Sequence, residues 1–188
     1  MFRNIQNCLV LLLCLWGLVC TAAPPPIWID VPFVKQERNG CGAASIAMVM
    51  QYWQRQHGKA EGKGADARQI QRVLYSERAH GIYASDLERY LGKHEFRTFA
   101  FQGGWGDLER HLEKGRPLIV ALKPHSGAAA RHYVVVAGLD GERKLVFVND
   151  PADRKLLERD WSQFEREWKG AGNWTLLAIP QDDAPSFP

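Results

Sequence analysis

Cysteine is scarce where it would build architecture. The 188-residue chain has four, and Cys8, Cys14 and Cys20 fall in the first twenty positions, leaving Cys41 alone in the body. Both a disulfide-stapled scaffold and a zinc ribbon on paired thiolates are excluded, because each needs several cysteines inside the fold. Charge of one sign is missing too. With 24 basic residues against 21 acidic ones, the balance is too mild to point to nucleic acid. Gly103-Gly104-Trp105-Gly106 has no Lys-Ser/Thr behind it and no Walker motif occurs, so ATP is not expected. No metal or other cofactor is implied. His125 and His132 stand seven apart across a flexible Ser126-Gly127-Ala128, which is not ligand spacing on a helix.

One apolar run is present, residues 8–20. At about 1.5 Å per residue it spans about 20 Å, short of a bilayer core of about 30 Å. Arg3 precedes it and Thr21-Ala22-Ala23 follows it, so the order is basic, apolar, small. That order reads as a secretory signal peptide over residues 1–22, cleaved after Ala22. Lipidation at Cys20 is a second reading, against which the bulky Val19 counts; an uncleaved anchor is a third. The expected protein is therefore exported, periplasmic or extracellular, with membrane contact only through this segment or through Cys20. Residues 23–188 then form one domain, with a Pro-rich leader over 23–26 and a loose tail over 181–188. A content of 46% hydrophobic and 11% aromatic residues suits a single domain with a real core. Cys41 is left as the one thiol of the exported protein. A free thiol outside the cell is exposed to oxidation, which suggests that it has a use.

Along the domain, Ile27–Val34 reads as a short strand, and Pro32 places it at an edge. Ala43–His57 lacks Gly and Pro and carries Ala44, Ala47, Met48, Met50 and Trp53, the pattern of a largely buried helix. A second helix is expected over Ala65–Ser76, with Ile70, Val73 and Leu74 on one face. Ser85 with Glu88 reads as a capping box, and Gly92 as the end of that short helix. Phe96–Phe101 alternates as a strand, and Asp107–Lys114 is a helix stopped by Gly115. Leu118–Leu122, Tyr133–Gly138 and Leu145–Val148 are apolar runs, the last two joined through Asp140-Gly141 as a hairpin. Trp161, Phe164 and Trp168 share a helix face, and Trp174–Ile179 closes as a strand. A helical first half followed by an antiparallel second half makes the fold class α+β.

The most informative stretch is Gln36-Glu37-Arg38-Asn39-Gly40-Cys41-Gly42-Ala43-Ala44-Ser45. Glycines flank Cys41 where loop becomes helix, so its sulfur meets unpaired N–H groups and the positive end of the helix dipole. Both favour a thiolate, the nucleophilic form. A free cysteine is as often a small buried hydrophobe, and the position alone does not separate the two. A nucleophilic thiol needs a base, and the base an orienting group. His57, His80, His94, His111 and His125 sit in polar loops or on polar helix faces. His132 instead opens the run Tyr133-Val134-Val135-Val136, at the mouth of a core strand. If residues 132–139 and 145–150 pair, Asp150 returns towards His132. Asp before Pro is also a common turn former, and Asn149 is a competing orienter.

Val31-Pro32-Phe33 with Gln36, then Asn39-Gly40-Cys41-Gly42-Ala43-Ala44, then Arg131-His132-Tyr133-Val134-Val135-Val136-Ala137-Gly138, then Asn149-Asp150-Pro151, resemble the bacteriocin-leader-processing peptidases. These are double-glycine-type cysteine peptidases of the papain-like clan. The resemblance runs from about Ile27 to Pro180. It implies a papain-like fold with Cys41 as nucleophile, His132 as general base and acid, Asp150 as orienter, and Gln36 as an oxyanion donor beside the Cys41 N–H. Without the resemblance, Gln36 reads as a solvated loop residue. Family members are often the N-terminal domain of an ABC exporter, whereas here no transmembrane bundle and no Walker motif follow. The expected activity is that of an exported cysteine endopeptidase acting on a polypeptide. A peptide-binding module without catalysis and a cell-wall amidase of the same clan are the alternatives. The loop Pro124–Arg131, just before the base, is a candidate gate.

Overall fold

A computed structural model describes residues 25–58, 64–124 and 131–183. The expected signal segment, Cys20, most of the expected gate (125–130) and residues 184–188 lie outside the described residues. Strand Ile27–Trp28 (β1) precedes three helices, Cys41–Gln56 (α1), Ala67–Leu74 (α2) and Ala84–Lys93 (α3). Strand Phe96–Gln102 (β2) and helix Trp105–Glu113 (α4) follow. Next come strands Leu118–Leu122 (β3), His132–Asp140 (β4), Leu145–Asn149 (β5) and Leu157–Asp160 (β6). Helix Trp161–Gly170 (α5) and strand Trp174–Pro180 (β7) close the fold.

The described strands make one antiparallel sheet in the order β2-β7-β3-β4-β5-β6, with β1 added to β4. Its central strands are continuous apolar runs because both of their faces are covered. On β4, Tyr133, Val135 and Ala137 pack with α1, α2 and α3. Val134 and Val136 point the other way, into a second cluster with α4 and α5. β3 and β7 divide in the same manner, Ile119, Ala121, Leu176 and Ala178 against Leu118, Val120, Leu122, Leu177 and Ile179. The period of two along each strand thus feeds two cores. α1 lies deep in the first, with Gly42 through Met50 all buried. In the second, Trp161, Phe164 and Trp168 stack along one side of α5, with Phe164 and Trp168 fully buried. Each such side chain stabilises the fold by about 1.5–3 kcal/mol.

Several boundaries differ from the sequence expectation, each for a tertiary reason. The Ile27–Val34 strand pairs regularly over two residues only. Ile29 still donates to the Ala137 carbonyl at 2.8 Å, but Pro32 has no N–H to continue the ladder. α2 buries Ile70 and leaves Val73 67% exposed, so its apolar face is narrower than expected. α3 begins at Ala84 behind Tyr83, which gives no side-chain cap, and Gly92 lies inside the helix. Ser85 is therefore not the capping residue. Buried Ile82, just before the helix, faces Gly42 of α1. β6, Leu-Glu-Arg-Asp, carried too little apolar signal to stand out, as befits an edge strand. Past β7, Gln181–Asp183 forms a 3-10 turn, tied by the Gln181 N–H to the Glu95 carbonyl (2.9 Å) and by Asp183 to His57 (2.7 Å).

Gly138 shows why one residue type is needed in mid-strand. A bulge shifts the β4–β5 register there, and β1 crosses so closely that a Cβ would lie 2.7 Å from the Ile27 carbonyl oxygen.

Candidate active site

The turn before α1 shapes the surroundings of Cys41. Asn39 adopts a left-handed conformation (φ 57°), the Gly40 N–H bonds the Glu37 carbonyl at 2.9 Å, and the helix starts at Cys41 itself. Gly40 offers no side-chain cap, and no acidic residue stands in the first turn. The first intrahelical bond runs from Ala44 N to Gly40 O, so the N–H groups of residues 41–43 remain at the positive end of the dipole. Cys41 is half-buried at this mouth and is the free cysteine among the described residues.

The hairpin of β4 and β5 supplies the rest. Val135 pairs with Asn149, so His132 at the start of β4 and Asp150 just past β5 meet beyond the last rung. His132 Nε2 lies 2.7 Å from Asp150 Oδ1. Cys41 acts on the same ring, its side chain being among the influences that raise the His132 pKa. Burial is the largest influence on His132 and disfavours its charge. The hydrogen bonds to Asp150 and Cys41, and the charges of both, outweigh it, and the ring's pKa is pushed up from 6.5 to about 9. Burial is likewise the largest influence on Asp150 and would raise it. The hydrogen bond to His132, the imidazolium charge, the Ala152 N–H and the Arg159 guanidinium together hold the carboxyl below its usual value. Arg159 is itself fixed at 2.8 Å on both oxygens of Glu167. The two residues lean towards their charged forms, as an ion pair does.

Asn149 has a different task. It is fully buried, donates to the carbonyls of Val31 (3.1 Å) and Pro32 (3.3 Å), and accepts from the Leu156 N–H (2.9 Å). Of the two candidate orienters, Asp150 is thus the one that faces His132. Asp150 also forms the expected turn, accepting from the Ala152 N–H at 3.0 Å. Gln36 is tied to the same turn, its N–H bonding the Pro151 carbonyl at 2.9 Å, while its side-chain Oε1 is buried without a hydrogen-bond partner. Cys41, His132 and Asp150 are therefore brought together. Gln36 is anchored by its backbone beside them, with no direct bond to any of the three.

Tyr133, next to the base, packs edge-on against Trp174 at 5.6 Å, and its ring also lies against Gly42. Burial, then the Cys41 charge, raises its phenol to about 12, so it stays neutral. Among the described residues, no three His, Cys, Asp or Glu side chains converge as metal ligands. Of three clefts of about 450–750 Å³, one is lined by Gln36 and Gly40, and none by Cys41, His132 or Asp150. The thiol–imidazole arrangement is the stronger guide to chemistry, since a peptide bond needs a surface approach rather than an enclosed pocket.

The profile of the Peptidase_C39 like family matches residues 28–175. The chain belongs to that family, one of cysteine peptidases. A putative C39-like peptidase from Bacillus anthracis has the same fold, with a TM-score of 0.63 at 18% identity over 83% of this chain and 98% of that one. The peptidase domain of Streptococcus ComA, a bifunctional ABC transporter of a quorum-sensing pathway, gives 0.62 at 21% identity, covering 81% of this chain and 100% of that one. A double glycine motif protease from an AMS/PCAT transporter, solved in complex with its leader peptide, gives 0.59 at 23% identity, covering 82% and 97%. No curated protein matches significantly. The C39-like family carries the α+β layout expected from sequence, with helices leading and an antiparallel sheet following.

Proposed function

We propose that this C39-like protein is an exported cysteine endopeptidase working through Cys41, His132 and Asp150, with Gln36 as an oxyanion donor. The 2.7 Å contact of His132 Nε2 with Asp150 Oδ1, together with the influence of Cys41 on the same ring, carries the reading. The chemistry follows from that order. Cys41 Sγ attacks the scissile carbonyl carbon, and its electrons move onto the carbonyl oxygen. The Cys41 N–H and the Gln36 side-chain amide receive that oxyanion; one such donor is typically worth about 3–4 kcal/mol. The imidazolium of His132 then gives its Nδ1 proton to the departing amine, leaving a thioester on Cys41. Neutral His132 takes a proton from water, the resulting hydroxide attacks the thioester, and Cys41 leaves as thiolate. Asp150 holds Nε2–H throughout and stabilises the charged ring. The substrate is a polypeptide; one solved relative was captured with a leader peptide. Export rests on the basic, apolar, small order of residues 1–22.

Alkylation of Cys41 by iodoacetamide and by an epoxysuccinyl probe tests the site. Stoichiometric labelling much faster than that of a free thiol, lost on denaturation and in His132→Ala, is expected. A rate no greater than that of a free cysteine refutes the reading. Comparing proteomes with wild type and Cys41→Ala then identifies what is cut.

A further inference from the structure

Helix α2 lies against the nucleophile loop, and one of its residues reaches the loop backbone. Gln71 Nε2 donates to the Arg38 carbonyl at 2.7 Å. Its Oε1 lies so close to Gly40 that a Cβ there would approach to 2.6 Å. One side-chain amide thus reaches two of the three residues that lead into Cys41, Arg38 and Gly40. Around it, Arg68 pairs with Glu37 at 2.6 Å and Asn39 Nδ2 bonds Tyr75 Oη at 3.5 Å, both at exposed positions. Exposed contacts of this kind contribute little. The Gln71 bond is exposed too, but it differs in its partner, which is the backbone of the loop itself.

The loop has unusual needs. Asn39 is left-handed, Gly40 is buried, and the stretch Gln36–Cys41 carries both proposed oxyanion donors. A neighbouring cleft of about 450 Å³, lined among others by Gln36, Gly40, Arg68 and Gln71, leaves room beside the loop for it to shift. Something must set its height against His132, which is carried on the sheet rather than on α2. We infer that Gln71 is a positioning residue for the peptidase reaction, fixing Arg38 and Gly40 so that the Cys41 sulfur and the Gln36 amide hold their places. This rests on the proposed function for its catalytic consequence. The contact itself stands on geometry alone. It also accounts for glycine at position 40: a methyl group there would push the Gln71 amide off Arg38.

Gln71→Met keeps the length and removes the donor, and Gln71→Ala is the second variant should the first pack poorly. Three quantities are read: amide hydrogen exchange over residues 37–42, kcat and KM on an unfolded polypeptide, and the pH profile of Cys41 alkylation. Loop amides are expected to exchange about tenfold faster, as local opening becomes easier. Misplacement of reacting groups by about 1 Å costs about 10²-fold in rate, so kcat should fall by that order with KM nearly unchanged. The alkaline limb set by His132 should not move, because the pair with Asp150 is untouched. Gly40→Ala should lower kcat in wild type and add little in the Gln71→Ala background. Unchanged loop exchange in both variants, or unchanged kcat in both, overturns the inference. If wild type shows neither enhanced alkylation nor turnover, the peptidase reading fails, and loop exchange alone then decides the positioning.

Discussion

Replacing Asp150 by Asn tests the electrostatics most directly, because the amide can still accept from His132 Nε2–H while the charge is gone. The rise of the ring from 6.5 to about 9 amounts to about 3 kcal/mol in favour of the imidazolium. Burial acts in the opposite direction, so Asp150 and Cys41 together supply more than that net figure. Removing one of the two should bring the alkaline limb of turnover down by at least about one pH unit. At neutral pH kcat/KM should drop by about 10²-fold or more, the usual weight of a positioned acid–base group. Stability has a definite sign. The raised pKa of His132 stabilises the fold fully below pH 6.5, and this is lost as pH climbs through about 9. The lowered pKa of Asp150 stabilises above pH 3.8 and is lost as pH falls through its depressed value. The melting difference between wild type and Asp150→Asn should therefore be largest between those limits, at about pH 4–6.5, and shrink on either side. Rate profiles and thermal melts over pH 3–10 measure both. A limb that stays near pH 9 in Asp150→Asn refutes this account of the pair.

Other perturbations separate scaffold from chemistry. Asn149→Ala leaves the buried Val31 and Pro32 carbonyls and the Leu156 N–H without their side-chain partner. It should cost about 2–6 kcal/mol in chemical denaturation, at about 1–3 kcal/mol for each of the two buried carbonyls, without moving the alkaline limb. Gly138→Ala places a methyl group 2.7 Å from the Ile27 oxygen and 2.9 Å from Trp28 Cβ. Melting should show a loss of about 1–3 kcal/mol, with chemistry intact in the folded fraction.

Much of this layout was legible in the sequence because it rests on local rules. The gap-free stretch after Cys41 gave α1 to within two residues, and Leu118–Leu122 was placed to the residue. The Asp140-Gly141 hairpin carried the site as well as the fold, since pairing β4 with β5 is what returns Asp150 to His132. What stayed hidden depends on distant contacts. Nothing in the chemistry of Asn149 or Asp150 alone decides which faces the imidazole; the answer comes from Asn149 being engaged by Val31 and Pro32, over a hundred positions earlier. Gln71 has no motif at all, because its meaning depends on where α2 lands. The polar β6 and the early start of α3 belong to the same class.

The path of residues 27–36 has a consequence for timing. This stretch leads the described chain, yet its partners are β4, Asn149 and Pro151, at separations reaching 118 residues. Long-range closure of this kind slows folding, since much chain entropy is lost before any contact compensates it. A polypeptide emerging from a ribosome or a translocation channel would present Cys41 early. It could not seat the Gln36 loop or build the imidazole–carboxylate pair until residue 151 had followed. Such a chain carries its thiol through synthesis with the site still unassembled. The same crossing that ties the first strand to the last third of the sheet acts as a delay, so that thiol, imidazole and carboxylate come together only as the fold is completed.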